Sequence, residues 1–426
     1  MIEPSDLILR GVGELVTNDP DRAEAGLLGI VNDAAVAICG GEVAWAGSLK
    51  ELPDEFFELP DLDCGGRAVL PGFVDSHTHL VFAGERGDEF GRRLAGETYE
   101  SILESGGGIQ ATVRATRRAV QERAAVGLVE SARPRVERML AHGTTTVEIK
   151  SGYGLDVPTE LRMLEAAAAL GKLIPIDTVA TLLGAHVVPP EFAEDRAGYV
   201  RLVEEEMLPL LAPLARYCDV FCDRGAFTVA EARRILEAGK RYGLKPRVHA
   251  EQLAATGAAL LAAEVGAVSA DHLDHIDAEG AAALAAAGTV ATLLPAASFS
   301  MRTPQAPARL LWDAGVTVAV ATDCNPGTAY VESMQFVIAV AALEMGLSPA
   351  EAVWAATRGG ANALEEPAKG WIGPGAAADL VILDAPSYVH IPYRPGANLV
   401  WKVIKDGVVV VAPPDRRGVS TTPSVP

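Results

Sequence analysis

Four residues in this chain have the types and the spacing to hold a metal ion. His77 and His79 stand in PGFVDSHTHL (71–80), directly after an apolar run. Side chains alternate along a strand, so imidazoles two residues apart point the same way and can share one ion. His249 closes a second apolar run (RVHAE) and Asp323 closes a third (VAVATDCNPG). Three nitrogens and one carboxylate oxygen suit Zn²⁺, and equally Fe or Mn, with a position left for a water whose pKa the ion would lower towards ~7. Each residue alone has a plainer explanation: a satisfied core histidine, or an aspartate capping a helix. Their joint occurrence at the ends of successive apolar runs favours the metal.

Other polar groups stand at similar places. His272 and His275 share SADHLDHID but are three apart, so a strand cannot aim both the same way. His272, nearer the strand body, is the candidate to polarise a carbonyl or move a proton. His186 follows LLGA and could donate to a ligand. Lys150, in EIKSGYG, is either a carbamylated bridge between two metals or a buried ammonium. No second set of ligands accompanies it, so the reading is an ion pair with a nearby acid beside a mononuclear site. His142 precedes a strand and His390 lies outside the repeating pattern; neither is given a role.

Positioning such groups requires a repeated scaffold. Eight apolar runs alternate with helical stretches: Ala68–His77, Thr145–Lys150, Ile176–Gly184, Val220–Asp223, Arg247–His249, Val268–His272, Val290–Leu294 and Val316–Thr322. Glu160–Leu170 and Thr228–Tyr242 are examples of the helices between them. This predicts an α/β chain forming a (β/α)₈ TIM-like barrel, whose site lies at the C-terminal strand ends. Reading those ends in order gives His77/His79, Lys150/Tyr153, His186, Asp223, His249, His272, Ser298 and Asp323. A doubly wound open sheet is the competing architecture, but it would gather its ligand groups at one switch point.

The two ends of the chain have another texture. Leu7–Leu9, Ala35–Ile38 and Val43–Ala46 are short β-type runs broken by Gly pairs, and Asp379–Leu383, Val400–Ile404 and Val408–Val411 match them, with a hairpin signal at Asp406-Gly407. We therefore expect a small composite β-sandwich from 1–65 plus 375–426, with the barrel over 66–374. The tail RRGVSTTPSVP reads as polar and frayed.

Composition narrows the function. Of 426 residues, 49% are hydrophobic and only 5% aromatic, so a large core must be filled by Ala, Val and Leu. The formal charge of −20 argues against nucleic acid as a partner. Five scattered cysteines do not form a disulfide framework, and Cys218 and Cys222 read as core thiols. The Ala-rich stretch 281–297, interrupted by Gly288 and Pro295, reads as helix, turn and strand rather than a membrane span. MIEPSDLILR lacks the basic and apolar regions of a signal peptide, so a cytoplasmic location is expected.

The motifs also carry a family likeness. HTHLVFAGERGDEFGRRLAG (77–96), GGGI (106–109), TVRATR (112–117), EIKSGYGLD (148–156), LLGAH (182–186), HAEQL (249–253), ADHLDH (270–275) and ATDCNPGT (321–328) together resemble the imidazolonepropionases of the amidohydrolase superfamily, along the whole barrel. The resemblance implies hydrolysis of the small-molecule substrate 4-imidazolone-5-propanoate to N-formimidoyl-L-glutamate in histidine degradation. It implies one Zn²⁺ or Fe³⁺ per subunit on His77, His79, His249 and Asp323. It also implies substrate contacts from Arg86, Tyr153, His186, Gln252 and Thr328, product contacts from Asn325 and Gly327, and catalytic roles for His272 and Asp323. Some members carry Glu where this chain has Gln252, and an amide cannot move the proton a carboxyl can. Arg86 offers a fork of donors matched to a propionate; a deaminase of neutral bases, the nearest alternative, has no use for it. A catalytically dead barrel would have lost ligands, and all four are present. A symmetric homodimer is the default expectation, with no membrane partner.

Overall fold

The structure is a computed structural model that describes residues 6–97, 101–102 and 105–413; the polar tail from Arg416 onward lies outside them. The N-terminal stretch supplies β1 (Leu7–Leu15), β2 (Val31–Cys39), β3 (Glu42–Ser48), β4 (Asp61–Asp63) and β5 (Ala68–Pro71). Next come β6 (Phe73–Asp75), β7 (Thr144–Lys150), β8 (Asp177–Ala185), β9 (Tyr217–Cys222), β10 (Lys245–Ala250), β11 (Ser269–His272), β12 (Val290–Leu293) and β13 (Val318–Val320). The chain returns with β14 (Leu380–Leu383), β15 (Val400–Lys405) and β16 (Val408–Val411).

Strands from both ends make one mixed sheet, in the order β16-β15-β14-β5-β1-β2-β3, with β4 beside β1. Two-residue turns at Gly40-Gly41 and Asp406-Gly407 join its hairpins, all four residues at positive φ, as a tight hairpin of right-handed twist requires. Alternation gives the sheet two packed faces. Val69, Leu380 and Ile382 join Leu9, Leu15, Val36 and Ile38 in its own core. Leu70, Val381 and Leu383 turn the other way, into the core of the larger unit.

That unit is a parallel barrel in strict order β6 to β13. Helices such as Val157–Leu173 and Val229–Arg241 run between its strands. Each starts from a cap: the Asp156 carboxylate accepts the Thr159 N–H, and Thr228 forms a reciprocal capping box with Glu231. The Ala-rich stretch is a helix (Ala278–Ala287) stopped by left-handed Gly288, then β12, then a helix begun by Pro295. Among the described residues no helix is long and apolar enough to cross a membrane. Cys218 and Cys222 are buried free thiols in β9.

One expectation needs correcting. The run Ala68–His77 is not a single barrel strand. It divides at Gly72: Ala68–Pro71 pairs with β1 and β14, and only Phe73–Asp75 enters the barrel. A Cβ at Gly72 would lie 2.2 Å from Thr145 Oγ1, so the crossing point between the two sheets has no room for a side chain. The first barrel strand is consequently short, and the barrel closes beyond it. Thr78 bridges Cys324, the His79 N–H donates to Cys324 O at 3.0 Å, and the Asp323 N–H donates to His77 O at 3.1 Å. The Asp75 carboxylate adds two contacts, from Thr322 N at 3.0 Å and Thr322 Oγ1 at 2.6 Å.

Candidate metal centre and substrate cavity

The seam that closes the barrel also carries the metal-ligand candidates. His77 and His79 follow β6, Asp323 follows β13, and His249 lies near the end of β10, so three strand ends converge. His77 Nε2 and His79 Nε2 each lie 3.7 Å from Asp323 Oδ1, and His79 Nε2 lies 3.2 Å from His249 Nε2. All four residues are buried. The backbone there departs from ordinary geometry: Asp323, His272 and Leu273 have φ of 51°, 77° and 64°. For residues other than glycine such angles cost about 1–3 kcal/mol each, and they persist where the surroundings over-determine them.

The outer nitrogens of two imidazoles are held by acids. His77 Nδ1 meets Asp271 Oδ2 at 2.7 Å, and His249 Nδ1 meets Asp219 Oδ1 at 3.1 Å. A neutral imidazole with its Nδ1–H given to a carboxylate presents the Nε2 lone pair inward, the state a metal needs. Beneath them, Lys150 Nζ donates to Glu148 Oε1 and Asp219 Oδ2, both at 2.8 Å, and lies 3.6 Å from Asp271 Oδ2. Arg247 Nη2 donates to Asp271 Oδ2 at 3.1 Å. Lys150 therefore sits inside the barrel, below the mouth where the strand-end reading placed it. Its ammonium is spent on acids.

These residues fit a metal ion on their own chemistry. Two nitrogens bound tetrahedrally at about 2.0 Å to one ion lie about 3.3 Å apart, and the two Nε2 atoms of His79 and His249 are 3.2 Å apart. His77 Nε2 is buried with no hydrogen-bond partner. Burial holds the His77 and His79 imidazoles well below their usual pKa, so both stay neutral. Burial likewise pushes the Asp323 carboxyl well above its usual range. A cation among these groups would complete the unpaired nitrogen and stabilise the carboxylate.

Above the four ligand candidates opens a cavity of about 590 Å³, lined by His79, Arg86, Tyr153, His186, His249, Gln252, His272, Asp323, Asn325, Gly327 and Thr328. Every site residue expected from the sequence is brought there except His77, which lies just below the surface of the cavity. His275 is exposed. Asp223, another strand-end residue, turns aside to accept the Leu253 N–H at 2.8 Å. Tyr153 is set by its loop: the buried Glu160 carboxylate accepts the N–H groups of Gly152, Gly154 and Leu155 at 2.7–3.2 Å. A Cβ at Gly154 would come within 2.7 Å of Glu160 N, so glycine is needed there. Burial, then nearby Asp323, raises the Tyr153 phenol, which keeps its proton and can donate. His186 stacks on His79 at 5.0 Å with its Nδ1 against Gly152 O at 3.0 Å, and burial lowers it to about 3.

The Asn325 loop is built differently from a simple contact surface. The Asn325 amide donates to Asp323 O at 2.7 Å and to Thr328 Oγ1 at 2.9 Å, and accepts the Gly327 and Thr328 N–H groups, both at 2.8 Å. It holds the loop that carries Asp323 and Thr328, leaving little of the amide for a ligand. Gln252 has no hydrogen bond among the described residues and faces the cavity.

Several residues escaped the sequence reading. Asp219 and Asp271 orient the imidazoles, and an acid inside the apolar strand YCDVFC was a legible sign of the first. Asp274 lines the cavity, accepts Ser298 Oγ at 2.7 Å, stands 3.9 Å from His272 Nδ1, and is pushed up to about 6 by burial. Glu89, Phe90 and Arg93 reach the cavity from the helix Gly87–Leu94, which folds over the mouth. Their position depends on that helix's docking, which strand ends do not reveal.

Comparison with known proteins shows the family and the fold. The amidohydrolase family matches residues 68–410. The imidazolonepropionase of Mycolicibacterium smegmatis is 50% identical over 404 residues, covering 95% of this chain and 97% of the relative. That of Salinispora arenicola is 50% identical over 406 residues, covering 95% and 98%. Among solved structures, atrazine chlorohydrolase from Arthrobacter aurescens complexed with zinc superposes with a TM-score of 0.70 at 19% identity, covering 95% of each chain. An adenosine deaminase from Xanthomonas campestris with bound zinc gives 0.70 at 19% identity, covering 97% and 94%. At that identity these structures speak to fold alone.

Proposed function

The chain belongs to the amidohydrolase family and to its imidazolonepropionase branch, and on that premise we propose how its residues open the ring of 4-imidazolone-5-propanoate to give N-formimidoyl-L-glutamate. The observation that supports the assignment is that His79, His249 and Asp323, with His77 beside them, share one cavity with the Arg86 guanidinium, whose fork of donors matches a carboxylate. His77, His79, His249 and Asp323 would hold one Zn²⁺ or Fe³⁺. Such an ion supplies Lewis acidity and lowers the pKa of a water beside it towards ~7.

The chain's own groups do the rest. Arg86 pairs with the propionate and so fixes the ring in the cavity. Tyr153 and His186 bond the ring's polar edge, with Gln252 and Thr328 completing the contacts. Asn325 braces the loop whose Gly327 faces the acid end of the product. Asp323 takes the proton that the attacking water gives up. His272, on the strand beside His249 with the ring centroids 5.4 Å apart, stabilises the negative charge that develops on the carbonyl oxygen. The carbonyl carbon gains the water oxygen, the amide C–N bond breaks, and Asp323 returns its proton to the departing nitrogen. The carbon ends as the α-carboxylate. Gln252 moves no proton in this scheme, so Asp323 carries both transfers.

We place this reaction in a cytoplasmic homodimer whose partner is the small anion alone; the net charge of −20 supports excluding nucleic acid. We divide the chain into a composite sheet domain (1–65 plus 375–426) and a barrel domain (66–374), with the strand Ala68–Pro71 crossing from the latter into the composite sheet. The test is loss of imidazolonepropanoate absorbance on adding metal-analysed protein, with substrate generated from urocanate by urocanase. Rapid loss that disappears in His249→Ala is expected. Intact substrate in the presence of fully metal-loaded protein would overturn the reading.

A further inference from the structure

Arg86 is not the only guanidinium in the cavity. The helix Gly87–Leu94 has Arg86 at its N-cap and Arg93 about two turns further on, and both line the cavity wall. They converge on Gly327 from two sides. A Cβ on Gly327 would stand 2.2 Å from Arg86 Nη1, so this position must be glycine for the guanidinium to lie where it does. Arg93 Nη1 lies 3.4 Å from Gly327 O and 3.0 Å from Met301 Sδ.

The charge around the pair is incomplete. Arg86 Nε donates to Glu89 Oε2 at 2.8 Å, and both Glu89 oxygens also accept the Gly108 N–H at 3.1 Å. Glu89 is thus committed to Arg86 and the loop. Arg93 has no carboxylate within ion-pair distance among the described residues. Its bonded partners are a carbonyl and a thioether, both neutral. A guanidinium has five donors in a rigid fork. A partly buried one with so few of them used is prepared for an anion that comes from outside.

We propose that Arg93 is a second carboxylate anchor, forming with Arg86 a two-guanidinium seat over Gly327 that selects substrates with an acidic side chain. The proposal rests on the reaction assigned above and adds a specificity residue to it. Burial, and Arg86 beside it, push the Arg93 guanidinium down from its usual range, which is the direction an incoming carboxylate would reverse. On a chain of net charge −20 the two guanidiniums are a local attraction for an anion.

The experiment uses the full chain, metal-loaded, as Arg93→Ala, Arg93→Gln and Arg93→Lys. Steady-state turnover is read together with competitive inhibition by imidazole-4-propanoate and by its neutral amide. Losing one charged hydrogen-bond anchor should raise KM and the Ki of the acid about 10–100-fold. It should leave kcat within about threefold and the Ki of the amide nearly unchanged, and Arg93→Lys should recover part of the loss. Equal weakening of acid and amide, or an unchanged KM, would overturn the proposal and leave Arg93 as a prop for Gly327. If wild-type protein bound the acid but did not turn over the substrate, the assigned reaction would fall. The acid-to-amide ratio in the variants would still decide the role of Arg93.

Discussion

Replacing Lys150 by methionine tests whether the metal site depends on the charged layer beneath it. The side chain is fully buried and its ammonium makes two 2.8 Å contacts, to Glu148 and Asp219, with Asp271 at 3.6 Å. At an effective dielectric near 20, each close contact is worth about 6 kcal/mol gross. Burying an ammonium costs several kcal/mol in return. Here the balance favours the charge: burial alone would lower the Lys150 pKa, yet Asp219 and Glu148 hold it above its usual value. Methionine would fill much of the space but strand three buried acids against Arg247 alone. Removing one partner of such a set costs about 3–5 kcal/mol.

The protein has one route of relief, which is to protonate an acid or an imidazole. Asp219 and Asp271 are the acids that hold His249 and His77. Protonation there disturbs the lone pairs that face the ion, so metal affinity should also fall, about 10–100-fold for groups acting through a ligand. Urea unfolding of the chelated protein reads the first effect, and competition against a chelator reads the second. The double variant Lys150→Met/Glu148→Gln should recover part of the stability, because it removes one charge of each sign without touching the acids on the imidazoles. The reasoning is refuted if chelated Lys150→Met stays within about 1 kcal/mol of the parent and binds metal as tightly. Loss of metal from the parent on removing bicarbonate would instead reveal a carbamylated lysine.

Three further expectations follow from the cavity. Asp323→Asn should abolish turnover while leaving the circular dichroism spectrum intact; near-normal turnover would remove Asp323 from the proton path. Gly327→Ala should raise KM by roughly tenfold with little change in melting temperature, because the added methyl displaces the flexible end of Arg86 rather than backbone; an unchanged KM would show that Arg86 does not hold the substrate. Asp274 keeps its proton up to about pH 6 when folded, against 3.8 otherwise, chiefly through burial. Its contribution to stability is therefore complete below about pH 4 and is lost as pH rises through 6, a cost of up to about 3 kcal/mol at neutral pH. Asp274→Asn should accordingly stabilise the chelated protein at pH 7.5 and not at pH 4, and a pH-independent difference would contradict this.

What the sequence made legible were residues whose role follows from position on a strand. Apolar runs ending in His249 and His272 declared both the strand and its open end, and the barrel followed from their repetition. The hairpin at Asp406-Gly407 was legible for a similar reason, since so tight a turn demands residues that tolerate positive φ. The run Ala68–His77 was misread because periodicity says that a segment is extended, not which sheet it joins. Gly72 alone marks the crossing, and its significance lies in Thr145, seventy-three residues away in sequence and 2.2 Å from the missing Cβ. Arg93 and Asp274 were hidden for a related reason. Their charges look like those of any exposed helix or loop until docking turns them inward.

The closure of the barrel and the geometry of the candidate metal site are one structural event. β6 is only three residues long, so pairing between the first and last strands runs on through His77, Thr78 and His79 on one side and Asp323 and Cys324 on the other. The hydrogen bonds that complete the cylinder are made by the backbone of the ligand candidates, with Asp75 and Thr322 clasped directly below. A long first strand would have closed the barrel lower down and left these side chains on loops. Because the seam must form before three imidazoles and a carboxylate face one point, an ion bound there stabilises the closed barrel over any state with the seam open. Conversely, a substitution that weakens the seam without touching a ligand, such as Thr322→Val, should lower metal affinity as well as stability. Loss of stability with unchanged affinity would show that the two are separable.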